Sequence, residues 1–97
     1  MTNILNAHFV RHSGSDTVYS VPAREKSVTL YVSADEGIDT VTLDAVFGRI
    51  KEDPSIPSTH FSKNKPFGPV NGHFFYFPTE GGGLFTSGKK HVKLCRG

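Results

Sequence analysis

One helical stripe stands alone in a chain otherwise patterned in twos. Leu43, Val46, Phe47 and Ile50 recur at i, i+3, i+4 and i+7, the spacing that gathers side chains on one face of an α-helix. Thr42 can cap its start, Asp44 suits the first turn and Pro54 stops it. The spacing therefore predicts one short helix over 42–52. Gly48 inside it costs roughly 1 kcal/mol relative to alanine, which keeps a strand over 40–50 as the competing reading.

Around this stripe the signals are those of strands. AHFVRH, the turn cluster SGSD and TVYSV read as a hairpin, and Pro22 ends its second strand or places it at an edge. SVTLYVS, from Ser27 to Ser33, is β-branched and aromatic, with Val28, Leu30 and Val32 on one face and Thr29 and Tyr31 on the other. The last third reads as a meander. HFFYF, from His73 to Phe77, carries aromatic side chains on both faces, PTEGGG turns the chain, LFTS returns, SGKK turns again and HVKLC closes. In that closing strand Val92 and Leu94 point one way and His91, Lys93 and Cys95 the other. The expected class is α+β: mostly antiparallel sheet, built from hairpins and the C-terminal meander, with the one helix.

Between helix and meander, residues 53–72 hold four of the six prolines. This reads as a long ordered loop, a kind of element that often binds partners. Ile56, Phe61 and Phe67 can pin it onto the core.

Length and composition set outer limits. Ninety-seven residues make one domain with a single modest core, 1–97. No apolar run approaches the roughly 20 residues a membrane-spanning helix needs, and the opening MTNILNAHFVRHSG lacks a secretory signal pattern. The single cysteine, Cys95, leaves no internal disulfide, and N-x-[ST] sites are absent. The expectation is a cytoplasmic protein. The net charge of +2 conceals an asymmetry. Residues 1–59 carry five Lys/Arg and eight Asp/Glu, net −3, and residues 60–97 carry six against Glu80 alone, net +5. A basic C-terminal half points to an anionic partner, although lysine tips also keep small sheets soluble and block edge pairing.

The motifs that resemble catalytic machinery do not survive their context. Gly83 to Lys90 reads G-x-x-x-x-G-K-K, one letter from a phosphate-binding loop, but Lys90 stands where a metal-binding hydroxyl is needed. Only seven residues follow it, alternating like a strand, with no room for the required helix. His8 and His12 share a strand face in regular alternation yet lie about 13 Å apart, too far for one zinc. His91 and Cys95 have the same problem, so no metal or other cofactor is expected. A small ribonuclease using His60, His73, His91 and Lys93 requires only that they converge in space. Cys95 as a nucleophile needs a histidine base and an electropositive setting.

What remains is an aromatic and basic surface on a sheet, which predicts a non-enzymatic interaction module. Its expected contact surface is the 56–71 loop, the tip 87–90 and the face of His91 and Lys93. Phe67 is the expected apolar anchor, with Lys63, Lys65, Lys89 and Lys90 as steering charges. The expected partner is a host protein or nucleoprotein complex. The most concrete version is a phage or mobile-element inhibitor that blocks a host defence or nucleic-acid-handling complex, which rests on the size class of such chains and on no residue. The alternative is single-stranded RNA or DNA stacked on exposed aromatics flanked by lysines.

Overall fold

A computed structural model describes residues 4–33, 37–59, 66–77 and 91–96. The fold is α+β: one sheet and one principal helix. The strands are β1 (His8–Ser13), β2 (Asp16–Val21), β3 (Val28–Ser33), β4 (Phe67–Val70), β5 (His73–Tyr76) and β6 (His91–Arg96). The helices are α1 (Thr40–Glu52) and a single turn, α2 (Ile56–Thr59).

The helical stripe is real, and its purpose is burial. Leu43, Val46, Phe47 and Ile50 all lie in the core, against Leu30, Val32, Val92, Leu94 and Phe75 of the sheet. The start of α1 lies two residues before the expected 42, and its cap is Asp39 rather than Thr42. The Asp39 carboxylate accepts from the Thr42 backbone N–H at 2.7 Å. Asp44 is consequently past the first turn. It ties down the chain before β1 instead, its carboxylate accepting the Asn6 backbone N–H at 2.8 Å while the Asn6 amide donates to its carbonyl at 3.1 Å. Gly48 belongs to the same seam, because a Cβ there would stand 3.0 Å from the Asn6 amide nitrogen. Arg49 and Lys51 occupy the last turn, where cations complement the helix dipole.

The cap makes a pH-dependent prediction. Asp39 has its pKa held below the usual carboxylate range, first by the Thr42 backbone N–H and then by the Thr42 hydroxyl, with burial opposing them less strongly. A depressed folded pKa stabilises above the unfolded value and loses that contribution as pH falls through the folded one. Asp39→Ala is therefore expected to lower the melting temperature at pH 7, and the gap to wild type should close as pH drops below about 4. Asp39→Asn, also a good cap, should retain most of the stability and show less of this pH dependence. Thermal unfolding of the three proteins at both pH values measures it, and a gap that persists undiminished in acid would refute the assignment.

The strands appear in the order β1-β2-β3-β6-β5-β4. The N-terminal hairpin and β3 form as the alternation predicts. Among the described residues, β5 and β6 are parallel neighbours and not the antiparallel neighbours of the expected meander. Strand β6 is shared: Leu94, Cys95 and Arg96 pair antiparallel with Val32, Tyr31 and Leu30, while His91, Val92 and Lys93 pair parallel with Phe74, Phe75 and Tyr76. Parallel neighbours need a crossover of a dozen or more residues rather than a hairpin, and fourteen separate Tyr76 from His91. The expected strand LFTS and the turns PTEGGG and SGKK lie outside the described residues.

The Pro-rich segment is likewise not one loop. It contains α2 and β4, and β4 joins β5 through a two-residue turn. Asn71 and Gly72 there adopt φ values of 51° and 83°, the positive pair that a tight Asn-Gly hairpin turn requires. The Asn71 amide donates to the Thr42 hydroxyl at 3.1 Å, fastening the turn to the start of α1.

Candidate interaction surface

The expected anchor, Phe67, is a core residue. It is 7% exposed, pairs with Phe75 across β4 and β5, and its ring lies 5.4 Å below the Arg49 guanidinium. An inward ring covered by a cation cannot seat in a partner. Lys93 is half-buried on the sheet face away from α1, opposite Tyr76, and His91 opens β6 opposite Phe74. Lys63, Lys65, Lys89 and Lys90 lie outside the described residues. The aromatic platform proposed for nucleic acid has moved inward as well, since Phe75, Tyr76 and Phe77 are all buried.

The surface that does present large apolar side chains is at the opposite edge. Leu5 is 85% exposed, Phe9 59% and Val10 49%, all in or just before β1. Helix α1 packs on β2 and β4, and β1 lies at the far edge of the sheet, with every residue from His8 to His12 exposed. A register shift between Phe9 and Arg11 makes Val10 an extra residue, a bulge that re-aims its neighbours. It places His12 opposite Thr17 and leaves His8 opposite Ser20, so the two histidines fall on different faces instead of sharing one. His12 now sits edge-on to Phe9, with ring centroids 5.2 Å apart. Phe9 in turn meets Tyr19 at 6.5 Å, and Tyr19 meets Phe47 of α1 at 5.2 Å. A row of four rings thus runs from the core to the surface. On the other face Arg11 donates to the Tyr31 hydroxyl at 3.1 Å and lies 5.8 Å over its ring.

The two sheet edges differ in kind. Strand β4 has four residues and includes Pro69, which has no N–H to offer and blunts an edge. Strand β1 has six, with neither proline nor glycine. Its bulge and its cation still disfavour regular strand addition, so what β1 offers a partner is side chains: Leu5, Phe9 and Val10 with Arg11, His8 and His12. No acid occurs from Ile4 to Ser15, and Arg11, the one Lys or Arg there, lies on the face opposite Phe9. Val41, also exposed, stands apart on the first turn of α1. The sequence signal for the β1 surface was the adjacent pair Phe9-Val10, which breaks strict alternation.

The remaining chemical candidates are not brought together. His73 shares the core-facing side with Phe75, whereas Lys93 faces the other way beside Tyr76, so the ribonuclease set is split by the sheet, and His60 lies outside the described residues. Burial pushes the Cys95 thiol pKa up, with Lys93 pulling down and Asp16 pushing up less strongly; a raised pKa leaves less of the nucleophilic thiolate. Among the described residues no group of three or more His, Cys, Asp or Glu could hold a metal ion, and no helix is long and apolar enough to cross a membrane. Strand β6 starts at His91, so the segment after the Gly83–Lys90 motif is a strand and not the helix of a phosphate-binding loop. Comparison of the chain with protein-family models, with curated proteins and with solved structures finds no match.

Proposed function

We propose that this protein is a non-catalytic protein-binding module that docks through the β1 side of its sheet and acts by occupying its partner's surface. The observation that supports this reading is the exposure of three large apolar side chains, Leu5, Phe9 and Val10, in or just before the edge strand β1. Phe9 and Val10 are adjacent in an edge strand with no residue from His8 to His12 buried, and a large exposed aromatic is a common source of binding energy at a contact site. In its most concrete form the module is a phage or mobile-element inhibitor of a host nucleic-acid-handling or defence complex, where steric blocking needs no chemistry of its own.

Affinity capture from lysate with nuclease treatment tests the reading. Wild-type protein is expected to retain a stoichiometric protein partner after nuclease. Phe9→Asp and, separately, Leu5→Asp should each reduce its recovery at least tenfold, about 1.4 kcal/mol of binding or more. Leu5 is nearly free of the fold, so its variant should melt within a few degrees of wild type. Equal recovery by both variants would refute the β1 surface. A partner lost with the nuclease would replace protein binding by nucleic-acid binding.

A further inference from the structure

Two cations far apart in the sequence line one cavity at the other end of β3. A cavity of about 240 Å³ is lined by Lys26, Ser27, Val28, Thr29, Pro54, Pro57, Ser58 and Arg96. Three separate segments build it: the loop into β3, the corner between α1 and α2, and the end of β6, where Arg96 pairs with Leu30. The corner is shaped by Asp53, whose carboxylate accepts the Ser55 backbone N–H at 3.1 Å, and by Ser58 N–H donating to the Ser55 carbonyl at 2.9 Å. Pro54 and Pro57 give one wall little freedom to collapse. Two side chains of the lining are cations, three carry hydroxyls and none is an acid. A second cavity of about 230 Å³ shares Lys26 and Pro54 and adds Arg24 and one acid, Glu25.

We propose that this pocket binds a small phosphomonoester. A phosphomonoester carries about −1.5 to −2 charges at neutral pH and three acceptor oxygens. Lys26 and Arg96 match the charge, and Ser27 and Ser58 match the acceptors with hydroxyl donors. Arg96 already has an interaction within the protein, and a guanidinium has five N–H donors to distribute. The volume falls below the roughly 300–1,000 Å³ of sites for drug-sized ligands, which limits the ligand to a phosphate with a short carbon body against Val28 and the prolines. The site is independent of the β1 surface and of the partner proposed for it.

The test is a titration of the full chain followed by amide NMR, with inorganic phosphate, glycerol 3-phosphate and dimethyl phosphate as probes and sodium chloride at matched ionic strength as control. The first two are expected to give saturable shifts confined to Lys26, Ser27, Thr29, Ser58 and Arg96, and glycerol 3-phosphate should bind more tightly than inorganic phosphate. The monoanionic diester should bind at least fivefold more weakly. Lys26→Ala and Arg96→Ala should each weaken glycerol 3-phosphate at least fivefold, with Lys26→Arg restoring most of the loss. Both side chains are exposed, so neither variant threatens folding. Shifts that rise linearly, that chloride reproduces, or that Lys26→Ala leaves unchanged would overturn the proposal.

Discussion

Phe47→Ala is expected to cost about 4 kcal/mol of folding stability, in the middle of the range for truncating a buried aromatic residue. A domain of this size has roughly 5–15 kcal/mol in total, so the variant should be largely folded only in mild conditions. Phe47 is fully buried at the centre of the helical stripe and touches both layers: the core through its position on α1 and the β1 side through the Tyr19 ring. Removing it leaves a cavity between helix and sheet that fixed backbones cannot close. Val41→Ala on the same helix removes a smaller but exposed side chain and should change stability by no more than about 0.5 kcal/mol. Urea unfolding of the two variants measures the contrast. A Phe47→Ala loss below about 1 kcal/mol would mean that α1 is not packed on the sheet as described. Because Phe47 leads through Tyr19 to Phe9, the same variant should weaken partner capture, while Val41→Ala should leave it unchanged.

That helix was legible because its signal is local. Four apolar residues at helical spacing identify an inward face whatever lies beneath it. The β1–β2 hairpin and β3 were legible for the same reason, as period-two alternation between turn residues. Strand β4 was hidden by prolines that outweighed a short-range signal: Asn71-Gly72 flanked by Val70 and His73 is a hairpin turn. The parallel pairing of β5 with β6 is not encoded in any periodicity. Only the fourteen-residue separation hinted at it, since a crossover needs that length and a hairpin does not.

The candidate surface was harder to read than the fold, and Phe67 and Phe9 show why. Alternation reports which residues share a face but not whether another element covers that face. Phe67 stands among lysines and prolines in the sequence, yet its strand carries it beneath Arg49. Phe9 lies in an ordinary-looking strand, yet α1 packs on β2 and β4 and the ring is left in solvent. Charge misleads in the same way. Lys26 belongs to the acidic half of the sequence and Arg96 to the basic half, and they line one pocket.

Gly68→Ala should be the most damaging backbone change, costing about 3 kcal/mol. Gly68 sits at φ +135°, and a Cβ there would stand 2.9 Å from the His73 carbonyl oxygen and 3.3 Å from the Val70 nitrogen. Both atoms are backbone of the same short hairpin, so neither can retreat without moving the strand. Gly72 supplies the control. Its φ is +83° but no atom lies within 4 Å of the added carbon, so Gly72→Ala carries only the conformational penalty, about 1 kcal/mol. The difference between the two variants, about 2 kcal/mol, reports the close approach of the backbones together with the less accessible φ at Gly68. The consequence extends past the turn: β4 brings Phe67 and Val70 into the core, and Asn71 holds the hairpin to Thr42. Hydrogen exchange should therefore show β4 and β5 losing protection in Gly68→Ala before β2 and β3 do. Equal destabilisation by the two substitutions in urea unfolding would show that the close contact at Gly68 does not exist in solution.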